Sequence, residues 1–125
     1  MTEKVKKIIM DIDDTITFHL SSKNYIEKAP RLGVIEKMHK YKELGYEIVL
    51  FSARNMKTYN GDLAKINFYT LPILTKWLKK HNVPYDGIIM GKPWCGEDGF
   101  YVDDKAIRPK EFLELNEEEI KKLIN

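Results

Sequence analysis

The stretch Lys7-Ile8-Ile9-Met10-Asp11-Ile12-Asp13-Asp14-Thr15 joins a short apolar run to three carboxylates and a hydroxyl. The run from Val5 to Met10 predicts a mostly buried strand that stops at the acidic cluster. A parallel α/β sheet gathers the carboxyl ends of its strands along one edge, and ligands bind at that edge. The acidic cluster is therefore the first candidate for a functional site.

Later segments predict three further strands, over residues 46–51, 87–90 and 100–102. One helix is predicted after Pro30, with its apolar face at Val34, Ile35, Met38, Tyr41 and Leu44. Thr70 and Asn116 are the predicted N-caps of two more helices, the last of which covers residues 117–124. Residues 14–29 predict a loop or flap, and the structure of 55–69 stays open.

This alternation of strands and helices predicts right-handed βαβ units with helices on both faces of the sheet. The predicted fold class is α/β: a Rossmann-like three-layer sandwich around a mainly parallel sheet, without a cap domain. A chain of 125 residues with 43% hydrophobic content suits a single domain, 1–125.

Composition narrows the functional classes. The net charge is only +2 and the charged residues are spread along the chain, so no nucleic-acid partner is expected. No apolar stretch predicts a signal segment or a membrane span. The single cysteine, Cys95, excludes an internal disulfide and fits a reducing compartment. We therefore predict a cytoplasmic protein without membrane contacts.

The predicted strand ends carry groups suited to phosphoryl transfer. A carboxylate such as Asp11 can attack phosphorus and form an acyl phosphate. Asp13 can protonate the leaving oxygen and then deprotonate a water molecule. Ser52 and Lys92 can bind the phosphoryl oxygens. Ser52 lies at the predicted end of the second strand, whereas Lys92 follows the third strand by two residues.

Clustered negative charge at such a site requires a cation, and Mg²⁺ prefers oxygen ligands and accepts phosphate oxygens. The predicted metal ligands are the Asp11 carboxylate, a backbone carbonyl near Asp13, and a carboxylate from Asp103 or Asp104. The sequence does not decide which of the last two is the direct ligand.

Each group alone also has a purely structural explanation. Asp13-Asp14-Thr15 and Asp103-Asp104 suit turns or caps, a lone Ser52 is often structural, and a lysine in a Gly/Pro loop is often solvated. Ala53 and Arg54 are candidate substrate contacts, yet a salt bridge from Arg54 to a carboxylate is an equal alternative. The four groups together, in one consistent order, favour the functional interpretation.

These residues resemble the motifs of the haloacid dehalogenase-like (HAD) phosphohydrolases: Asp11-Ile12-Asp13-Asp14-Thr15, Ser52, Lys92 and Asp103-Asp104 in order. The resemblance implies Asp11 as nucleophile, Asp13 as general acid/base, Ser52 and Lys92 as phosphate ligands, and Asp104 with Asp103 at the metal. Asp14 departs from the family, where many members have Gly.

The short segments between these motifs leave no room for an inserted cap domain, so the chain resembles a capless member. Residues 51–54 and 101–109 are similar to phosphatases associated with capsular polysaccharide biosynthesis. The predicted function is hydrolysis of a small sugar phosphate through an aspartyl-phosphate on Asp11. Alternatives are a nucleotide or polynucleotide-end phosphatase, or a receiver-like phospho-accepting module, whose motif order differs. A homo-oligomer is a further possibility.

Overall fold

The computed structural model describes residues 4–18 and 24–125, and the chain divides into two compact units, Met1–Trp94 and Cys95–Asn125. The first unit contains a sheet of three parallel strands in the order β1-β2-β3. The strands are β1 (Lys7–Met10), β2 (Glu47–Ser52) and β3 (Gly87–Met90). The α/β class and the parallel sheet are confirmed.

The strand register aligns the carboxyl ends of the sheet. Met10 pairs with Leu50, and Ser52 pairs with Met90. In β2 alternate residues are buried, which is the period-2 pattern of a strand with one face on the core. The segments that follow β1, β2 and β3 therefore begin along one edge of the sheet.

Helical segments connect the strands of the first unit. They are a 3₁₀ turn (Tyr25–Glu27), α1 (Leu32–Glu43), α2 (Leu63–Lys65), a π-helical segment (Ile66–Thr70) and α3 (Leu71–Lys80). In α1 the buried positions are Val34, Ile35, Met38 and Tyr41, as predicted. Leu44 lies after the helix end and is half exposed, so it is not part of that face.

The prediction that Thr70 caps α3 is wrong. Thr70 has helical backbone angles, because α2, the π-helical segment and α3 follow one another without a break. Its hydroxyl donates instead to Asn55 Oδ1 at 2.7 Å, and the side chain is buried. Asp62 caps the run at its start, where its side chain accepts from the Lys65 N–H. The turn before Leu63 therefore marks the true beginning of this helical run.

The predicted 14–29 loop is partly described, and residues 19–23 lie outside the described residues. Its two ends are joined by an antiparallel bridge between Thr17 and Pro30. The Phe18 N–H donates to the Ala29 carbonyl at 3.0 Å. Trp77, fully buried in α3, donates from Nε1 to the Lys28 carbonyl at 2.8 Å. These contacts fix the part of the loop that carries the 3₁₀ turn.

The second unit contains two helices, α4 (Pro109–Glu114) and α5 (Glu117–Ile124). The predicted cap of α5 is confirmed, since Asn116 Oδ1 accepts from the Glu119 N–H at 2.9 Å. Glu119 Oε1 accepts in return from the Asn116 N–H at 3.0 Å, which completes a capping box. Among the described residues, no helix has the length and apolar character needed to cross a bilayer.

The predicted fourth strand over residues 100–102 is not formed. The backbone there is irregular, and Phe100 and Val102 are 81% and 87% exposed. An apolar run becomes a strand only where a neighbouring strand takes its backbone hydrogen bonds, and no ladder within the described residues includes this run. Asp103-Asp104 therefore follows an irregular segment rather than a strand.

Candidate active site

The acidic turn after β1 is organised around one carbonyl. The Ile12 oxygen accepts from the N–H groups of Thr15, Ile16 and Thr17 at 3.2, 2.8 and 3.2 Å. Asp14 has a φ of 65°, and its N–H donates to Thr17 Oγ1 at 3.1 Å. Ile12 and Ile16 are fully buried, so the turn is anchored in the core on its apolar side. Aspartate tolerates this left-handed conformation better than most residues.

Asp11 lies at the carboxyl end of β1 between two polar partners. Thr15 Oγ1 donates to Asp11 Oδ2 at 3.1 Å, and Lys92 Nζ lies 3.6 Å from Asp11 Oδ1. Burial raises the pKa of the Asp11 carboxyl, while the charge of Lys92 and the Thr15 hydrogen bond lower it. The negative charge of Asp13 raises it further. Asp11 is thus a partly desolvated carboxylate beside a lysine.

The backbone around Lys92 is fixed by the end of β2. The Ser52 carbonyl accepts from the Gly91 and Lys92 N–H groups at 3.1 and 3.0 Å. Gly91 has a φ of 92°, a conformation that glycine adopts readily and L side chains rarely do. The structure therefore brings Lys92 to Asp11, two predicted site residues 81 positions apart in the chain.

Asp13 is paired with Arg54. Arg54 Nε donates to Asp13 Oδ2 at 3.0 Å, and Arg54 Nη2 donates to Asp13 Oδ1 at 2.8 Å. The Arg54 side chain is fully buried, while that of Asp13 is 30% exposed. Of the two roles predicted for Arg54, the structure shows the salt bridge to a carboxylate. The bidentate geometry makes it a specific pair rather than a casual surface contact.

Ser52 and Ala53 lie at the end of β2. Ser52 is fully buried, and its Oγ accepts from the Arg54 N–H at 3.0 Å. A hydroxyl that accepts one hydrogen bond can still donate its own proton. The Ala53 carbonyl accepts from the Met56 N–H at 3.0 Å, which closes the following turn. Ser52 thus orders the turn that carries Arg54, and its contact with a phosphate stays a prediction.

Two residues of the site were absent from the sequence prediction, Tyr25 and Asn55. The Tyr25 ring covers the Arg54 guanidinium, with 4.2 Å between the Arg54 Cζ and the ring centroid. Burial and the charge of Asp13 raise the pKa of Tyr25, and Arg54 and a hydrogen bond from Asn55 oppose this. Nothing in the irregular 14–29 segment marks Tyr25. An asparagine three residues after a strand end is a weak signal for the positive φ that Asn55 adopts.

Asp103 and Asp104 belong to the second unit, where both are exposed. Asp103 Oδ1 accepts from the Lys105 N–H at 2.9 Å and so closes a local turn. For Asp103, this is the structural explanation that the sequence left open.

The oxygen donors of the first unit are of the kind that Mg²⁺ takes. Asp11 offers a partly exposed carboxylate, whereas both carboxylate oxygens of Asp13 are bound to Arg54. A backbone carbonyl near Asp13 stays the predicted ligand from this turn. Within 4–18 and 24–125, no cluster of three or more Asp, Glu, His or Cys side chains is arranged to hold a metal.

No family model matches the chain, and a search of curated proteins gives no match. Among solved structures, the crystal structure of a Vibrio cholerae protein matches with a TM-score of 0.94 and 55% identity, over 96% of this chain and 97% of that one. A chain of a Pnkp1/Rnl/Hen1 complex matches with a TM-score of 0.52 and 21% identity. That match covers 91% of this chain but 36% of the other, and it shows similarity of fold alone.

Proposed function

The chain belongs to the same family as the Vibrio cholerae protein, and from its site we propose that it is a magnesium-dependent phosphomonoester hydrolase of the HAD type. The observation that carries this proposal is the setting of Asp11. Its carboxylate lies between the Lys92 ammonium group and the Thr15 hydroxyl, with the second carboxylate of Asp13 two residues away. Paired carboxylates with different partners suit separate roles as nucleophile and acid/base.

In the first step, an Asp11 oxygen attacks the phosphorus of the substrate. The bond from phosphorus to the ester oxygen breaks, and its electron pair goes to the leaving oxygen. Asp13 gives a proton to that oxygen, and the alcohol departs. The product of this step is an aspartyl-phosphate on Asp11.

In the second step, water attacks the phosphorus of the intermediate. Asp13, now a carboxylate, accepts a proton from the water, and the bond between phosphorus and Asp11 breaks. Inorganic phosphate leaves, and both carboxyl groups return to their starting states. The net reaction consumes one water molecule and releases one alcohol and one phosphate.

Lys92 supports both steps by offsetting the charge of the phosphoryl oxygens. Ser52 and the Ala53 backbone are the further contacts that we assign to those oxygens. Mg²⁺ would be held by the Asp11 carboxylate and the Asp13 carbonyl, and the HAD resemblance assigns a third ligand to Asp103-Asp104. The ion would supply neutralisation of charge on the phosphoryl group.

We propose a sugar phosphate of polysaccharide biosynthesis as the substrate class. This assignment rests on the similarity of residues 51–54 and 101–109 to the capsular polysaccharide phosphatases. The small net charge of +2 also argues against a polyanionic substrate. A nucleotide or polynucleotide-end phosphatase is the alternative.

The reaction is tested with Asp11→Asn and, as a matched control, Asp14→Asn. Both substitutions remove one carboxylate from the same turn, and asparagine tolerates the φ of 65° at position 14. We expect Asp11→Asn to lower turnover of 4-nitrophenyl phosphate by more than about 10³-fold, while Asp14→Asn retains most activity. Substantial activity in Asp11→Asn would overturn the proposal.

The substrate is tested on the wild-type protein with sugar phosphates, nucleotides and 3′-phosphorylated oligonucleotides, each with Mg²⁺ and with EDTA. We expect the highest kcat/KM on a sugar phosphate and loss of turnover with EDTA. Preference for oligonucleotide ends would replace the saccharide assignment. A phosphoprotein that persists for minutes without turnover would instead favour the receiver-like alternative.

A further inference from the structure

The Arg54 guanidinium forms a bidentate salt bridge with Asp13. Two of its nitrogens donate to the two Asp13 oxygens, at 3.0 and 2.8 Å. The third, Nη1, is buried and has no hydrogen-bond partner among the described residues. The side chain as a whole is fully buried. Arg54 therefore presents no solvent-facing donor to a phosphate that enters the site.

The Tyr25 ring stacks on the same guanidinium at 4.2 Å, a distance typical of a cation–π contact. Asn55, in the turn after β2, lowers the pKa of the Tyr25 hydroxyl. Asn55 is held in turn by Thr70, whose hydroxyl donates to Asn55 Oδ1 at 2.7 Å. The ring thus covers the guanidinium of the ion pair, and Asn55 is held by the buried Thr70.

A bidentate arginine occupies only part of the lone-pair capacity of a carboxylate. Each carboxylate oxygen has two lone-pair sites, and Arg54 uses one on each oxygen of Asp13. The remaining sites stay available, and the Asp13 side chain is 30% exposed. The two bonds fix the plane of the carboxylate, while the covering ring lowers the local dielectric and strengthens them. This arrangement orients an acid/base without blocking it.

We propose that Arg54 and Tyr25 are positioning residues that orient Asp13 for proton transfer to the leaving oxygen, and that Arg54 does not bind the substrate phosphate. This inference rests on the phosphatase function proposed above. It replaces the alternative in which Arg54 is a substrate contact. A misplaced general acid impairs departure of a basic leaving group far more than departure of one that leaves unaided.

The test compares two substrates with the same phosphate, 4-nitrophenyl phosphate and phenyl phosphate. Nitrophenolate leaves without protonation, whereas phenolate is more basic and needs an acid. The measured quantity is the ratio of kcat/KM for the nitrophenyl ester to that for the phenyl ester. Weaker phosphate binding or partial unfolding lowers both values equally, so it leaves the ratio unchanged. Asp13→Asn provides the benchmark for loss of the acid.

Arg54→Lys keeps the charge but loses the bidentate geometry. We expect it to raise the ratio at least about tenfold, since general acid catalysis contributes about 10²-fold or more. Arg31→Lys is the matched control, because Arg31 also lies over an aromatic ring, that of Phe18 at 5.9 Å. An unchanged ratio with a higher KM for both substrates would identify Arg54 as a phosphate ligand and overturn the inference.

Tyr25→Leu removes the ring above the pair and tests the inference even if Arg54→Lys fails to fold. We expect the same rise in the ratio, with Tyr69→Leu, on an exposed ring, as the matched control. An unchanged ratio in Tyr25→Leu would overturn the role of the ring. Absence of activity in the wild type, or full activity in Asp11→Asn, would instead refute the proposed function, whatever these ratios are.

Discussion

Lys92 Nζ lies 3.6 Å from Asp11 Oδ1, so the lysine neutralises the proposed nucleophile before a substrate arrives. Once a phosphoryl group is bound, we expect the Lys92 ammonium group to interact with the phosphoryl oxygens. We expect Lys92→Ala to lower kcat/KM about 10²-fold or more, as loss of a preorganised donor does in other enzymes. The kcat/KM values for 4-nitrophenyl phosphate and phenyl phosphate should fall by the same factor, because the proposed contact of Lys92 is with the phosphate that both esters share. Steady-state kinetics on the two esters checks this.

Lys92→Arg is the informative companion, because it keeps the positive charge and changes only its shape. We expect it to retain more activity than Lys92→Ala. A loss confined to phenyl phosphate would contradict the assignment, since it would place Lys92 with the proton-transfer residues instead.

Asp103 and Asp104 are the two candidates for the further ligand of the proposed Mg²⁺ site, and of the two it is Asp103 that takes part in a local turn. Asp103 Oδ1 accepts from the Lys105 N–H at 2.9 Å, a contact that asparagine can also make. We expect Asp104→Asn to raise the Mg²⁺ concentration for half-maximal activity about tenfold or more, and Asp103→Asn to change it little. Titration of activity with MgCl₂ decides between them. The reverse order would make Asp103 the direct ligand.

Local patterns were sufficient to predict much of the fold. The bounds of β3 and the cap of α5 follow from residues within a few positions of each other, and both are confirmed. The segment at 100–102 has an equally apolar sequence but forms no ladder. Whether an apolar run becomes a strand depends on a neighbour that is distant in sequence. Periodicity alone contains no information about that neighbour.

The same limit applies to the candidate site. The order of Asp11, Asp13 and Lys92 along the predicted strand ends was enough to identify these residues as candidates for the active site. The partner of Arg54 was not predictable, because several carboxylates compete for a guanidinium and the choice depends on burial. Tyr25 was missed because its position over Arg54 is set by tertiary contacts of the 14–29 segment.

Asp86 joins α1 to β2 at the end of the sheet away from the site. Its Oδ2 accepts from Lys42 Nζ at 2.6 Å and from the Ile48 N–H at 2.8 Å. The Lys42 hydrogen bond, followed by that of Ile48, holds the pKa of Asp86 below its ordinary value of 3.8. A lowered folded-state pKa means that the stabilisation is present above pH 3.8 and is lost as the pH falls through the folded value.

We therefore expect Asp86→Asn to be less stable than the wild type at pH 7, with a smaller difference at an acidic pH below 3.8. Asparagine can still accept from Ile48, so the change isolates the charge. Glu47→Gln, in the exposed pair with Lys7, is the control and should change stability little. Urea unfolding at the two pH values measures the difference. A stability difference that stays constant with pH would refute the role of the Asp86 charge.

Gly91 directly precedes Lys92, and a substitution at Gly91 can lower stability through backbone strain or through a steric clash. The two causes can be distinguished by experiment. A Cβ at Gly91 would lie 2.5 Å from Leu63 Cδ2, and φ is 92°. Leu63 is half exposed, so its side chain can move aside. The strain should dominate, and we expect Gly91→Ala to lose about 1–2 kcal/mol of stability. Gly45→Ala is the matched control, because its φ is 91° and no atom lies within 4 Å of its Cβ position. Strain is the cause if Gly91→Ala and Gly45→Ala lose similar stability and the double variant Gly91→Ala/Leu63→Ala recovers none of it. A much larger loss of stability in Gly91→Ala, recovered in the double variant, would show that the clash with Leu63 dominates.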